Sequence, residues 1–212
     1  MIKITKKTTA SFDVDSQNGF TERCMSELPV MDGQSIVPAL NEQAKYADFR
    51  IMSKDAHPQD GIWVASESEP QFSKVSRPNV DIRWNSHCVV GTFGSDLIEG
   101  LPHPSTYDFL IYKGVERDMH PYSAAYHDLG KTISTGIIEW AKQKHIDTFI
   151  VGGLATDYCV KETAIDLAFA GFNVIVNLDA SRSIDADLTE TLQIFEAEGV
   201  KVIQNIKEII LN

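Results

Sequence analysis

At 212 residues and 43% apolar content the chain can close a sizeable core, and it reads as one domain over residues 1–212. Its 30 acidic against 19 basic side chains give a formal net charge of −11, which argues against nucleic acid, because phosphate binding needs clustered Lys and Arg. The basic start MIKITKKTTASFDVD has no secretory apolar region, and no apolar run approaches the roughly 18 residues of a membrane span. The expectation is a cytoplasmic protein that meets neither membrane nor nucleic acid and acts on a small molecule.

The first β-rich run is Ser11 to Asp15, followed by helical spacing over Ile36 to Lys45 and a second strand over Phe49 to Lys54. Pro58 to Asn85 carries Pro, Ser and Glu with little periodicity, and is expected as a long loop over one sheet edge, a length that usually has a task. Further strands are expected over Phe109 to Lys113, Thr148 to Gly152, Asn173 to Leu178 and Lys201 to Gln204. Helices are expected over Thr132 to Lys144, Tyr158 to Ala170 and Leu188 to Glu198, with Gly171 and Gly199 as C-caps of the last two. The strands are mostly apolar on both faces, the mark of a parallel sheet covered on each side. The fold class is therefore α/β, a three-layer open sandwich with a mainly parallel six-stranded sheet.

Ligands of such sheets bind outside the carboxyl ends of the strands. Those ends hold Asp15, the pair Asp55 and His57, Lys113, and the run GGLATDYC. The three cysteines, Cys24, Cys88 and Cys159, have no disulfide or zinc-ribbon spacing. Cys159 falls in the first turn of a helix that Thr156 or Asp157 could cap, and a helix N-terminus with a nearby Lys can bring a thiol to roughly 3.5 to 7.5. On local sequence alone Cys159 reads equally as a nucleophile or as a buried small hydrophobe. Lys113 and Asp15, each taken singly, read also as solvated loop residues. Asp55, His57 and the later His87 offer one oxygen and two imidazoles, a set suited to zinc, iron or manganese, although DxH alone equally describes a turn Asp and a surface His. His103, His120, His127 and His145 lie in polar loops or on helix surfaces and are given no role.

Five segments in order resemble the nicotinamidase branch of the isochorismatase-like cysteine hydrolases: DSQNGF at Asp15 to Phe20, DAHP at Asp55 to Pro58, WNSHCVVGTFGSDL at Trp84 to Leu97, YKG, and GLATDYCV. The resemblance covers nearly the whole chain. It implies Cys159 as nucleophile, Asp15 as proton-transfer residue and Lys113 as the cation that holds both. It further implies one divalent metal ion on Asp55, His57 and His87, zinc before iron or manganese, and a substrate ring lined by Phe20, Trp84 and Tyr122. The peptide between Leu154 and Ala155 would be cis, with the N–H groups of Ala155 and Cys159 as oxyanion hole.

Two departures stand out. Gly61 occupies the position where some members carry a further metal-binding His, which leaves Glu67, Glu69 or water as substitutes, and Asp13 stands where relatives have an apolar residue. The activity implied is hydrolysis of nicotinamide to nicotinate and ammonia, as in NAD salvage, with pyrazinamide as a related substrate. Alternatives are a metal-free isochorismatase or other amide cysteine hydrolase, and a non-catalytic ligand-binding protein on the same fold. Assembly into a homo-oligomer is left open by the residues.

Overall fold

The computed structural model describes Met1–Asn212. Strands β1 (Ile2–Ile4), β2 (Thr9–Val14), β3 (Phe49–Asp55), β4 (Lys74–Arg77), β5 (Val80–Ile82), β6 (Phe109–Lys113), β7 (Thr148–Leu154), β8 (Asn173–Arg182), β9 (Lys201–Ile203) and β10 (Ile209–Leu211) alternate with helices α1 (Val37–Gln43), α2 (Ile137–Gln143), α3 (Lys161–Phe169) and α4 (Thr189–Ala197). Six strands form the central sheet in the order β6-β3-β2-β7-β8-β9, and every neighbouring pair in it is parallel. The expected three-layer sandwich is present.

The two central strands, β2 and β7, are buried along their whole length. Their side chains alternate between two cores. Phe12, Val14, Phe149 and Val151 meet Ile137, Ala141, Ala164, Leu167 and Phe195 of α2, α3 and α4 on one face. Ile150 points to the other face, where it packs with Ile4, Ile175, Ile203 and Ile209. Here β1 and β10 pair parallel in a two-stranded ribbon that the sequence pattern did not suggest.

Helix ends explain most differences in extent. Gly171 (φ 95°) and Gly199 (φ 74°) take the left-handed conformation after α3 and α4, and Phe172 and Val200 donate back to Leu167 and Phe195, closing both helices as the glycines imply. α2 begins later than expected, at Ile137, because the Asp128 carboxylate accepts from the backbone N–H groups of Thr132 and Ile133 and holds that stretch in a loop.

The Pro58–Asn85 stretch differs from a plain edge loop. It contains the antiparallel hairpin β4–β5, and it buries Trp63, Val80 and Trp84 in a third apolar cluster with Phe20, Leu28 and Leu154. This cluster sits at the carboxyl end of the sheet, so the segment walls the place where a ligand would bind.

Candidate active site

Four strand ends converge as the topology requires. Asp15 follows β2, Asp55 ends β3, Lys113 ends β6, and Cys159 lies just beyond β7. In-register pairing of Asp55 with Lys113 on adjacent strands sets those two side by side.

Lys113 is completely buried. Its Nζ lies 3.0 Å from Asp15 Oδ2, donates to Asp55 Oδ1, and is 3.3 Å from the Pro121 carbonyl and 3.5 Å from Cys159 Sγ. A buried ammonium is stable only with such partners. Burial pulls the Lys113 pKa down, but the carboxylates of Asp15 and Asp55 outweigh it and hold the amine well above its usual range. Asp55 runs the other way: burial would raise it, yet Lys113 and His57 keep it well below the carboxylate norm.

Asp15 accepts from Ser53 Oγ at 2.6 Å. Burial pushes its pKa up to about 6, against the pull of Lys113. Asp13 does not share this environment. It bonds Arg50 Nε and Tyr107 Oη, both at 2.9 Å, and Arg50 and Ser53, three residues apart on β3, face opposite ways. The positive φ of Asp15 (42°) breaks the strand alternation that would have put the two acids on one face. Asp13 is thus the anchor of a buried ion pair away from the site.

Two expectations about Cys159 need correction. Residues Thr156–Val160 form a single π-helical turn ahead of α3, and neither expected cap serves it. Thr156 Oγ1 bonds Ser181 Oγ instead, and Asp157 accepts from the N–H groups of Ile184 and Asp185. The thiol is also not acidic: burial pushes it well above the usual value, Lys113 lowers it, and Asp15 and Asp55 raise it again. Cys159 therefore rests protonated. Cys88 is buried and likewise pushed up by burial, and Cys24 sits in a surface turn.

Beside these side chains stands a group of imidazoles. Asp55 Oδ2 lies 3.5 Å from His57 Nε2 and 3.8 Å from His87 Nε2. Each ring has its other nitrogen on a carbonyl, His57 Nδ1 at 3.0 Å from Gly114 O and His87 Nδ1 at 2.6 Å from Asn85 O. Carbonyls accept only, so each ring donates through Nδ1 and presents Nε2 toward Asp55. Burial also keeps His57 neutral by lowering its pKa. His57 Nε2 has no hydrogen-bond partner, although the ring is fully buried. A carboxylate oxygen and two imidazole nitrogens turned inward are a donor set that fits a divalent cation. Gln17 braces the acid, donating to Asp55 O and accepting from Asp55 N, both at 2.8 Å.

His120, given no role above, is buried in this group: its ring stacks on His57 at 5.0 Å, and the ligand atoms of His57, His87 and His120 all lie within 4.8 Å of one another. The sequence held no sign of it, because it stands in the polar run ERDMHP without a motif partner. Glu67 and Glu69 do not substitute for the His absent at Gly61. Both are exposed, with Glu69 paired to Arg83, and a side chain at 61 would collide with the Trp63 indole.

A narrow pocket opens onto Asp55, His87, His120 and Cys159, with Phe20, Trp84, Tyr122 and Ala155 in its wall. Tyr158 and Ile184 also line it and had not been expected there. Trp84 Nε1 donates to Tyr122 Oη at 3.2 Å, and Tyr122 donates to Asp81 at 2.8 Å, which ties the wall to the hairpin. The aromatic side chains of this wall suit a flat ring. The peptide between Leu154 and Ala155 is cis. No helix is long and apolar enough to cross a membrane.

Comparison with known proteins agrees with this geometry. Residues 9–205 match the isochorismatase domain model. The nicotinamidase of Acinetobacter baylyi is 36% identical over 197 residues, covering 91% of this chain and 90% of that protein. A solved nicotinamidase and pyrazinamidase of Acinetobacter baumanii superposes with a TM-score of 0.86 at 32% identity, over 93% of this chain and 96% of that one. The pyrazinamidase of Pyrococcus horikoshii in complex with zinc gives a TM-score of 0.74 at 26% identity, over 93% and 99% of the two chains. The chain belongs to the isochorismatase family, as an amidohydrolase of its nicotinamidase branch.

Proposed function

We propose that the chain, acting as one domain, hydrolyses nicotinamide to nicotinate and ammonia, with Cys159 as nucleophile, Asp15 as proton carrier and Lys113 as the cation between them. The observation that carries this reading is the buried contact of Lys113 with both Asp15 and Cys159, the latter opening onto a pocket walled by aromatic side chains. Relatives named for nicotinamide hydrolysis supply the substrate.

The chemistry follows from the protonation states. Lys113 stays charged and favours ionised Asp15, which at neutral pH can accept a proton. Cys159 rests as the thiol, so its proton passes to Asp15 as Sγ bonds to the carboxamide carbon and the carbonyl π pair moves onto oxygen. Backbone N–H groups of Ala155 and Cys159 would stabilise that oxyanion, each worth roughly 2.7 to 4 kcal/mol in other acyl-transfer sites. Protonated Asp15 then gives its proton to the departing amide nitrogen, and ammonia leaves a thioester on Cys159. Water attacks the thioester carbon as Asp15 takes one of its protons. Collapse breaks the C–S bond and releases nicotinic acid, which loses its remaining proton to solvent as nicotinate, and the proton on Asp15 returns to Sγ.

Phe20, Trp84 and Tyr122 hold the ring and exclude water. When bound by Asp55, His57 and His87, a divalent ion supplies a Lewis-acid contact that orients the ring, with zinc the first choice and iron or manganese also suited to the donors. The zinc complex of the Pyrococcus horikoshii relative supports this.

The test is ammonia release from nicotinamide, pyrazinamide and unrelated amides, with and without a chelator. Turnover confined to pyridine-like amides and lost on chelation agrees with the reading. Turnover of unrelated amides only, or none, contradicts it.

A further inference from the structure

The role of His120 remains open after that account. Its ring is 4% exposed, and neither Nδ1 nor Nε2 has a hydrogen-bond partner. A neutral imidazole has one donor and one acceptor, and leaving both unmet in a buried site is costly. The fold nonetheless holds this ring firmly. His120 N–H donates to Asn79 O at 2.9 Å, in the turn of the β4–β5 hairpin. The ring lies near-parallel to His57 (13°) and to Trp84 (14°), with Trp63 edge-on at 4.6 Å. An imidazole immobilised by aromatic neighbours, with both nitrogens bare, is prepared for a partner that the protein does not supply.

That partner must accept a lone pair. His57 Nε2 is also unpaired, and His87 Nε2 faces Asp55 Oδ2 at 3.8 Å. A tetrahedral ion with ~2.0–2.1 Å bonds to nitrogen needs its ligand atoms about 3.4 Å apart. The three imidazole ligand atoms, all within 4.8 Å of one another, are a small side-chain adjustment from that spacing. We infer that His120 is a protein ligand of the same divalent ion, so that three imidazoles and the Asp55 carboxylate hold it and a further coordination position faces the pocket for the substrate ring.

This inference rests on the metal part of the proposed function, and its test separates the two. Zinc is loaded into the wild-type protein after chelation, and X-ray absorption counts its imidazole ligands. Zinc affinity is measured in parallel by competition with a chromophoric chelator, for wild type and His120→Phe. Phe keeps a flat ring between Trp63 and Trp84 and deletes both nitrogens. Three imidazoles in wild type, with affinity weakened by roughly 10-fold to 100-fold or more in a folded His120→Phe, is the expected result. Two imidazoles in wild type, a count that needs no variant to fold, overturns the role of His120 while leaving the ion in place. Unchanged affinity in His120→Phe does the same. Wild-type protein that takes up no zinc overturns both readings.

Discussion

At the scale of single residues, the site sets two buried acids against one buried amine, and the balance decides which group moves a proton. Asp15 is raised to about 6 because burial disfavours its charged form, and in the proposed reaction ionised Asp15 is the form that would accept the thiol proton. kcat/KM for nicotinamide should therefore fall as pH drops through about 6, with an acid limb above the ordinary carboxylate range. Ser53 Oγ donates to Asp15 and favours the ionised form, so Ser53→Ala should move that limb to higher pH in a full pH–rate profile. Lys113→Met keeps the stem and removes the charge that lowers both Asp15 and Cys159. Iodoacetamide should label Cys159 slowly at neutral pH in wild type, more slowly still in Lys113→Met, and mass spectrometry of the labelled peptide reads both. An identical profile in the two proteins would remove Lys113 from the account.

The residues at strand ends were legible because a parallel sheet gathers them by topology alone: Asp15, Asp55, Lys113 and Cys159 are separated by up to 144 positions yet meet around the Lys113 ammonium. His120 was illegible for the opposite reason. It belongs to no strand end or periodic pattern, and only the hairpin turn at Asn79 and the indoles of Trp63 and Trp84 bring it in. The acidity of Cys159 was misread because a local helix start says nothing about two carboxylates arriving from other strands.

Among the elements, the β4–β5 hairpin was hidden in sequence because its strands are short and mostly solvent-facing, so neither carries a clear alternation. Its effect is on the pocket wall, through Asp81 and Tyr122. Tyr122→Phe deletes the hydroxyl that joins Asp81 to Trp84, and should raise KM about fivefold, near 1 kcal/mol, with kcat little changed. Steady-state kinetics on nicotinamide check it. The turn from β7 is constrained more tightly. Gly153 has φ 126°, and a Cβ there would press into the backbone of Val14 on β2. Gly153→Ala should destabilise the fold by roughly 2 to 4 kcal/mol, lowering Tm by roughly 4 to 16 °C in a thermal melt. An unchanged Tm would mean that β2 and β7 can part at this point without cost.

For the whole molecule, the order β6-β3-β2-β7-β8-β9 places the four site-bearing strands next to one another, with α2, α3 and α4 over one face and the strands' carboxyl ends gathered where such sheets bind ligands. The layer arrangement was readable from strands apolar on both faces. The β1–β10 ribbon was not, since pairing between segments some 200 residues apart leaves no local trace. A cation bound by side chains from β3 and from the segments holding His57 and His87 would tie distant parts of the chain together. Excess zinc should then raise Tm and a chelator lower it, by about 2.7 kcal/mol of stability at a hundredfold excess over Kd. The central claim is that this assembly splits nicotinamide through Cys159. Its most direct measurement is ammonia release from nicotinamide by wild type and by folded Cys159→Ala, side by side with the same metal content. Steady release by wild type and no more than a trace from Cys159→Ala is the result predicted, and comparable release from the two proteins would contradict it.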